Sequence, residues 1–302
     1  MRGSLWVRLL TILAFAAAPA RAADQWTIKR LSEDAITPVM FDEAGRQAPA
    51  GLPDGRVAMH PGGDIVEAWY AEPTGRYGHG ILGDAVEAGA LKAKLADGSV
   101  LTVTLPQSQV FEDRTPRLAD LDGEGTVEIV TIRSSTSKGA SVTIYGLENS
   151  SLVERGTTGF IGRANRWLNI AGIANFDGKP GLDIAFVRTP HIGGTLFFYR
   201  YHEGRLSKIA ALEGFSNHAI GSREMRLSAI ANIDGDGAME LAVPSDDRTA
   251  LRIIGFVEDG LAERASIQLP GRVDRAILVR GAGSETEFTI GLDDGRILRV
   301  TR

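Results

Sequence analysis

Apolar residues fall along this chain in short runs rich in β-branched and aliphatic side chains, each bounded by Gly, Asp, Asn or Pro. Residues 128–133, 183–188 and 240–243 are such runs, and shorter ones precede them at 117–119, 168–174 and 227–231. Runs of this length and composition predict strands, since a helix would space its apolar positions by three and four over a longer window. Alternating segments follow, for example 141–145 then 152–154, and 196–200 then 206–209. Each stretch therefore reads as a four-stranded antiparallel sheet, and the chain as all-β.

A nine-residue polar pattern sits between the first and second run of each unit. Its copies are 120–128, 175–183 and 232–240, whose first residues stand 55 and then 57 positions apart. A period of this size marks a repeat architecture, in which each unit stacks on its neighbours to bury apolar faces. Four-stranded units of this length around an axis make a β-propeller, which protects its edges by radial repetition. The chain length predicts about five blades, with six or seven as the alternatives. Segments 288–292 and 297–300 read as a blade without the polar loop, and a strand near 26–30 is expected to complete that sheet. Residues 32–110 are the least regular, rich in Gly and Pro.

The polar pattern carries its own chemistry. Oxygen-bearing side chains at positions 1, 3, 5 and 9, with glycine at 4, suit a tight loop wrapping about six or more oxygens around Ca2+, position 7 adding a carbonyl. An EF-hand would need a bidentate glutamate at position 12 and a following helix, but Thr131 and Val243 stand there inside strand-like runs. These units resemble FG-GAP/VCBS repeats, the calcium-binding blades of integrin-like propellers, over about residues 110–260. The resemblance implies that Asp120, Asp122, Glu124 and Glu128 ligate calcium, and likewise Asn232, Asp234, Asp236 and Glu240. The family favours Asp or Asn at position 5 and Asp at 9, so Glu124, Glu128 and Glu240 depart by one methylene. The middle copy, with Asn175, Asp177 and Asp183, departs further: Lys179 supplies an ammonium in place of a carboxylate and Pro180 replaces a glycine. The third loop fits calcium best, then the first, then the middle, where a salt bridge to Lys179 is the expected substitute. A metal-free Asx turn is the alternative for all three.

Topology places a second feature. If the polar loop joins the first strand to the second, the segments entering strand one and leaving strand two share the opposite rim. Those segments hold Arg114, Arg166, Trp167, Asn169, His191, Asn217, His218, Arg223, Asp246, Asp247 and Arg248, and His79 is expected to join them. An aromatic, arginines, histidines and amides around a pocket suit an anionic or hydroxylated ligand such as a glycan. The competing reading packs Trp167 between blades and pairs the arginines with aspartates. His79, His191 and His218 are a further candidate set for a transition metal. The string Gly78, Gly80, Gly83 lacks the βαβ context of a dinucleotide site and reads as a turn. Ser216 lacks the setting of a nucleophile elbow, and the neighbours Asp246 and Asp247 read as solvated charges before they read as glycosidase acids.

Composition narrows the partners. Arg2 and Arg8 flank an apolar stretch, 9–18, that closes on Ala20, Arg21 and Ala22, the layout of a signal peptide over 1–22 cleaved after Ala22. The mature chain, 23–302, is expected as one domain, periplasmic or secreted, with no transmembrane segment. Losing Arg2, Arg8 and Arg21 shifts the formal charge from -5 to -8, which argues against nucleic acid as a partner. With no cysteine, disulfides and thiolate metal sites are excluded. The expected function is an exported, calcium-stabilised binding or scaffold module whose ligand is a glycan or a partner protein. The alternative is a polysaccharide lyase or glycoside hydrolase working in the central pocket, which needs an acid and a base facing one bond.

Overall fold

Strand-forming runs become strands wherever the sequence alternates or is continuously apolar, and connections fall at Gly, Asp and Asn. The computed structural model describes residues 26–32, 40, 45–48, 50–258 and 260–302. The expected leader lies outside them. β1 (Thr27–Arg30) precedes a meander of β2 (Ala58–Met59), β3 (Ile65–Thr74), β4 (Glu87–Leu95) and β5 (Val100–Thr104). The bridging strand β6 (Gln109–Phe111) pairs with β4 and with the next meander's second strand. That meander is β7 (Arg117–Ala119), β8 (Glu128–Ser135), β9 (Gly139–Glu148) and β10 (Ser151–Thr157), so the two form one nine-stranded sheet. The segment that looked least regular thus holds an ordered unit. Its first strand has two residues and its loop lacks the acidic pattern, so it left little periodic signal.

Three separate four-stranded antiparallel sheets follow. The first contains β11 (Leu168–Ala174), β12 (Asp183–Arg188), β13 (Thr195–His202) and β14 (Arg205–Glu213). The second contains β15 (Ala229–Ala231), β16 (Glu240–Pro244), β17 (Ala250–Val257) and β18 (Gly260–Gln268). The last contains β19 (Val273–Arg280), β20 (Glu287–Leu292) and β21 (Ile297–Thr301), with β1 antiparallel on β21 in the register Thr27 to Thr301. The expected pairing of first and last strands is present.

Both faces of the middle sheets are buried, which explains why their strands read as continuous apolar runs. In β8, Ile129 packs with Tyr70 and Phe111 of the preceding meander, whereas Val130 and Ile132 pack with Ile184 and Phe186 of the following sheet. Val187 and Phe198 meet Leu241 and Ile254, and Ile253 meets Phe288 and Ile290, so a core cluster lies between each sheet and its successor. Each such fully buried side chain contributes about 1.5–3 kcal/mol by leaving water. Sheets distant in order also meet: Gly221 N–H, ahead of β15, donates to Ile81 O in the β3–β4 connection at 3.0 Å. Among the described residues no helix is long and apolar enough to cross a membrane.

Candidate functional site

The three polar loops join the first and second strands of their units and share one hydrogen-bonding scheme. The position 9 carboxylate reaches back to the position 2 N–H, as Glu128 does to Leu121 at 2.9 Å, Asp183 to Phe176 at 3.3 Å and Glu240 to Ile233 at 2.6 Å. The position 3 aspartate accepts the position 5 N–H, the Asx turn that the spacing favours. Position 8 points outward, to the neighbour. Val127 N–H donates to Asp64 Oδ1, Leu182 N–H to Leu121 O, and Met239 N–H to Asn175 O, at 2.8, 2.7 and 2.9 Å. Every polar loop is therefore tied to the loop of the preceding unit.

Ligand oxygens of Asp120, Asp122 and Glu128 lie within 4.8 Å of one another, and so do those of Asp234, Asp236 and Glu240. Glu124 is exposed and stays outside its cluster, so the extra methylene at position 5 removes that expected ligand. Asn232 Oδ1 accepts Gly235 N–H at 2.8 Å, as Asp120 Oδ1 accepts Gly123 N–H. Burial and the neighbouring Asp122 and Asp120 charges push Glu128 up to about 7. Such an oxygen-only cluster, rich in negative charge, fits a hard divalent cation.

The middle loop is filled by the protein itself. Arg200 of β13 reaches Asp183 Oδ1 at 2.7 Å and Asp177 Oδ1 at 2.6 Å, spanning positions 3 and 9. Burial is the largest influence on Asp177 and opposes its ionisation, but the hydrogen bond and charge of Arg200 together with the hydrogen bonds from Lys179 outweigh it and hold the carboxyl below its ordinary range. The anticipated Lys179 bridge exists only at 3.4 Å from a largely exposed ammonium. Arg200 pairs across the sheet with Asp183, and in β9 and β17 Gly146 and Gly255 occupy the matching place opposite Glu128 and Glu240. A Cβ on Gly255 would meet Glu240 Cγ at 3.0 Å, so glycine makes room for the longer acid. Fourth strands compensate at their bulges: Arg155 and Arg264 stand where β14 carries Ile209. Arg264 pairs with Asp234, and Arg155 is held by the Tyr201 hydroxyl. The third loop thus already has a guanidinium on one acid, whereas the first loop has no ion pair to its acids among the described residues.

At the other end of the sheets the expected rim residues converge, but many turn inward. Trp167 is buried, donating from Nε1 to Glu112 O at 3.0 Å, and His191 lies parallel to it with ring centres 6.2 Å apart. Asn169 and Asn217 are fully buried and exchange side-chain to backbone hydrogen bonds at 3.0 and 3.2 Å. Arg114 is buried on Asp54, and Arg223 bridges from Asp84 toward the same Asp54. For Trp167, Asn169 and Asn217 the ligand-contact expectation gives way to packing: they cross-link units and are sealed from solvent, while Arg114, held by Asp54, borders a cavity. Arg166 is half-buried on Asn165 O, while Asp246 and Asp247 are exposed. His218 is also fully buried, yet its Nδ1 meets His191 Nε2 at 3.0 Å and its Nε2 meets Ser222 O at 2.9 Å. Burial, then the partner ring and the Arg248 charge, push His218 down to about 3; burial and Arg248 push His191 down to about 4. Both rings are neutral near pH 7.

His79 leaves the other two histidines for Glu112, with Nδ1 at 2.6 Å from Oε1, and Ser134 Oγ donates to Oε2. Among the described residues the three histidines form no metal-binding group. Glu87, which sequence reasoning did not single out, is buried beside this network. Burial and then the Glu112 charge push it up to about 9. The string Gly78, Gly80, Gly83 is a turn closed by Gly83 N–H on Gly80 O. A pocket of about 550 Å³ opens where His191, Ser216, Asp246 and Arg248 meet Arg272 and Asp274. A second cavity of about 670 Å³ lies along β7 and β11, and its arginines Arg114, Arg117 and Arg226 each face a carboxylate, Asp54, Asp113 and Glu224.

No protein-family model matches the chain, and no curated protein does. Solved structures with some likeness include the exotype rhamnogalacturonan lyase YesX, at 16% identity and TM-score 0.44, covering 81% of this chain and 56% of that one. A Bacteroides fragilis protein provisionally assigned as a 6-phosphogluconolactonase gives 17% identity and TM-score 0.43, covering 81% and 64%. A Bacillus licheniformis rhamnogalacturonan lyase gives 15%, 0.41, 83% and 59%. The chain spans less than two thirds of the length of these proteins, and at such scores the likeness assigns it no activity.

Proposed function

We propose that the chain is an exported β-propeller of five blades, stabilised by calcium in its first and third polar loops, that serves as a binding module. The blades are the two meanders of the large sheet and the three separate sheets, with β1 on β21 joining the ends of the chain. In the first loop Asp120, Asp122 and Glu128 would hold the ion; in the third, Asp234, Asp236 and Glu240 with Asn232 nearby. A bound calcium would offset the excess negative charge of each cluster, which in the third loop Arg264 meets only at Asp234, and so act on stability rather than on chemistry.

One observation carries the binding reading: rim turns of three consecutive units converge on a single pocket lined by charged and neutral acceptor groups. The lyase or hydrolase alternative has less behind it. The closest acid and base on the rim, Glu112 and His79, are already bonded to each other and Glu112 is sealed from solvent. Thermal melts in calcium and in chelator test the metal part by linkage. Chelation is expected to lower the wild-type Tm; Asp122→Ala and Asp234→Ala should shrink that difference, and Asp177→Ala should leave it unchanged. Equal Tm values with and without chelator would remove calcium from the reading. Screening the mature chain on a glycan array, beside a chain carrying a pocket substitution, tests the binding part.

A further inference from the structure

Arg248 ends the turn that leaves β16, and its backbone is left-handed, with φ at 62°. The turn fixes it there: Arg248 N–H donates to Ser245 O at 2.8 Å, and Arg248 O accepts Val273 N–H at 2.8 Å. The side chain is mostly covered, yet its Nη1 is a buried donor with no hydrogen-bond acceptor, and the nearest carboxylate oxygen, Asp274 Oδ1, stands 3.6 Å away. Arg114 is satisfied by Asp54 and Arg200 by Asp177 and Asp183, whereas Arg133 and Arg299 each leave a buried Nε unmet, away from this pocket. Arg248 lines the pocket, and a guanidinium fork matches a planar two-oxygen acceptor. Arg272, exposed on the same pocket, adds a second guanidinium.

The histidine pair supplies the opposite demand. His218 Nε2–H donates to Ser222 O, which leaves its Nδ1 bare to accept from His191 Nε2–H. His191 Nδ1 is then an unprotonated acceptor, with no protein donor among the described residues. Its ring is held parallel to Trp167, 3° off coplanar. A fixed neutral acceptor asks for a hydroxyl, and so does exposed Asp246 on the same pocket. Ile220, 72% exposed, offers an apolar edge. Three carboxylates line the pocket against two guanidiniums, so a singly charged anion fits better than a dianion.

We infer that this pocket takes a carboxylate-bearing polyol, the chemistry of an acidic sugar residue, with the carboxylate on Arg248 and hydroxyls on His191 and Asp246. The inference rests on the binding-module reading and adds the class of ligand. A neutral sugar would leave the guanidinium unmet, and a simple anion would leave His191 and Asp246 unmet.

Titration calorimetry with glucuronate, a glucuronate-containing oligosaccharide, glucose, acetate and inorganic phosphate tests it. Glucuronate or its oligosaccharide should bind roughly tenfold or more tighter than glucose, acetate or phosphate. Arg248→Gly relieves the left-handed backbone while deleting the guanidinium, so it should fold normally and lose about tenfold or more in glucuronate affinity. Arg248→Lys keeps the charge but not the fork and should fall between. No binding of either glucuronate probe, equal binding of glucose, tighter binding of phosphate, or unchanged affinity in Arg248→Gly would each overturn the inference. If the glycan array then finds another ligand for the wild-type chain, only the ligand class fails; if it finds none as well, the binding-module reading fails with it.

Discussion

Arg200 is the residue that separates the middle loop from its two companions. It supplies a built-in monovalent cation to Asp177 and Asp183, whereas Gly255 leaves the corresponding space to Glu240 and Gly146 lies against Arg155. Arg200→Gly should therefore strand a buried carboxylate and cost about 3 kcal/mol in urea unfolding. Adding Lys179→Asp should then make the midpoint respond to calcium, which the parent loop should not do; a double variant indifferent to calcium would deny that Arg200 stands in for an ion. The acids of the pattern were legible because they sit within nine residues of one another. Arg200, Gly146 and Gly255 were not, because turns of unequal length separate them from their partners and only the strand register aligns them. The same holds for the rim: residue types pointed to Trp167, Asn169 and Asn217, but their inward direction follows from packing between sheets.

Strands were the most readable elements wherever both faces are buried, since β8, β12 and β16 are nearly unbroken apolar runs. β6 and β2 escaped, being three and two residues long. β1 was foreseen as the partner of the C-terminal strand, and it covers what would otherwise be an open edge on β21. Removing residues 26–30 should lower Tm and make the protein associate at concentrations where the full chain stays monomeric. Circular dichroism melts and light scattering would check this; unchanged values for both would mean that β1 only decorates the sheet.

Glu87 and the histidine pair are buried titratable groups whose shifts act on stability in opposite directions of pH. Glu87 keeps its proton in the folded chain up to about 9, whereas an unfolded chain releases it near the ordinary carboxylate value. Its contribution is complete in acid and drains away as pH rises toward 9. His191 and His218 work in the other direction: depressed to about 4 and 3, they favour the fold above the ordinary histidine value and withdraw that support as pH falls toward 4. Stability should peak between these limits. Glu87→Gln should flatten the alkaline side of a Tm against pH profile and leave the acid side in place, and a profile with both sides unaltered would show that Glu87 does not govern it.

One sheet contains both ends of the described chain. Thr27 pairs with Thr301, so this sheet forms only once nearly the whole described chain has been brought back on itself. The units between can stack in sequence, three of them tied to their predecessors through position 8, while the opening strand depends on a partner at the far end of the described chain. Closure of this sheet thus joins the strands farthest apart in the described chain, and it carries the largest loop-closure cost of any pairing in the fold.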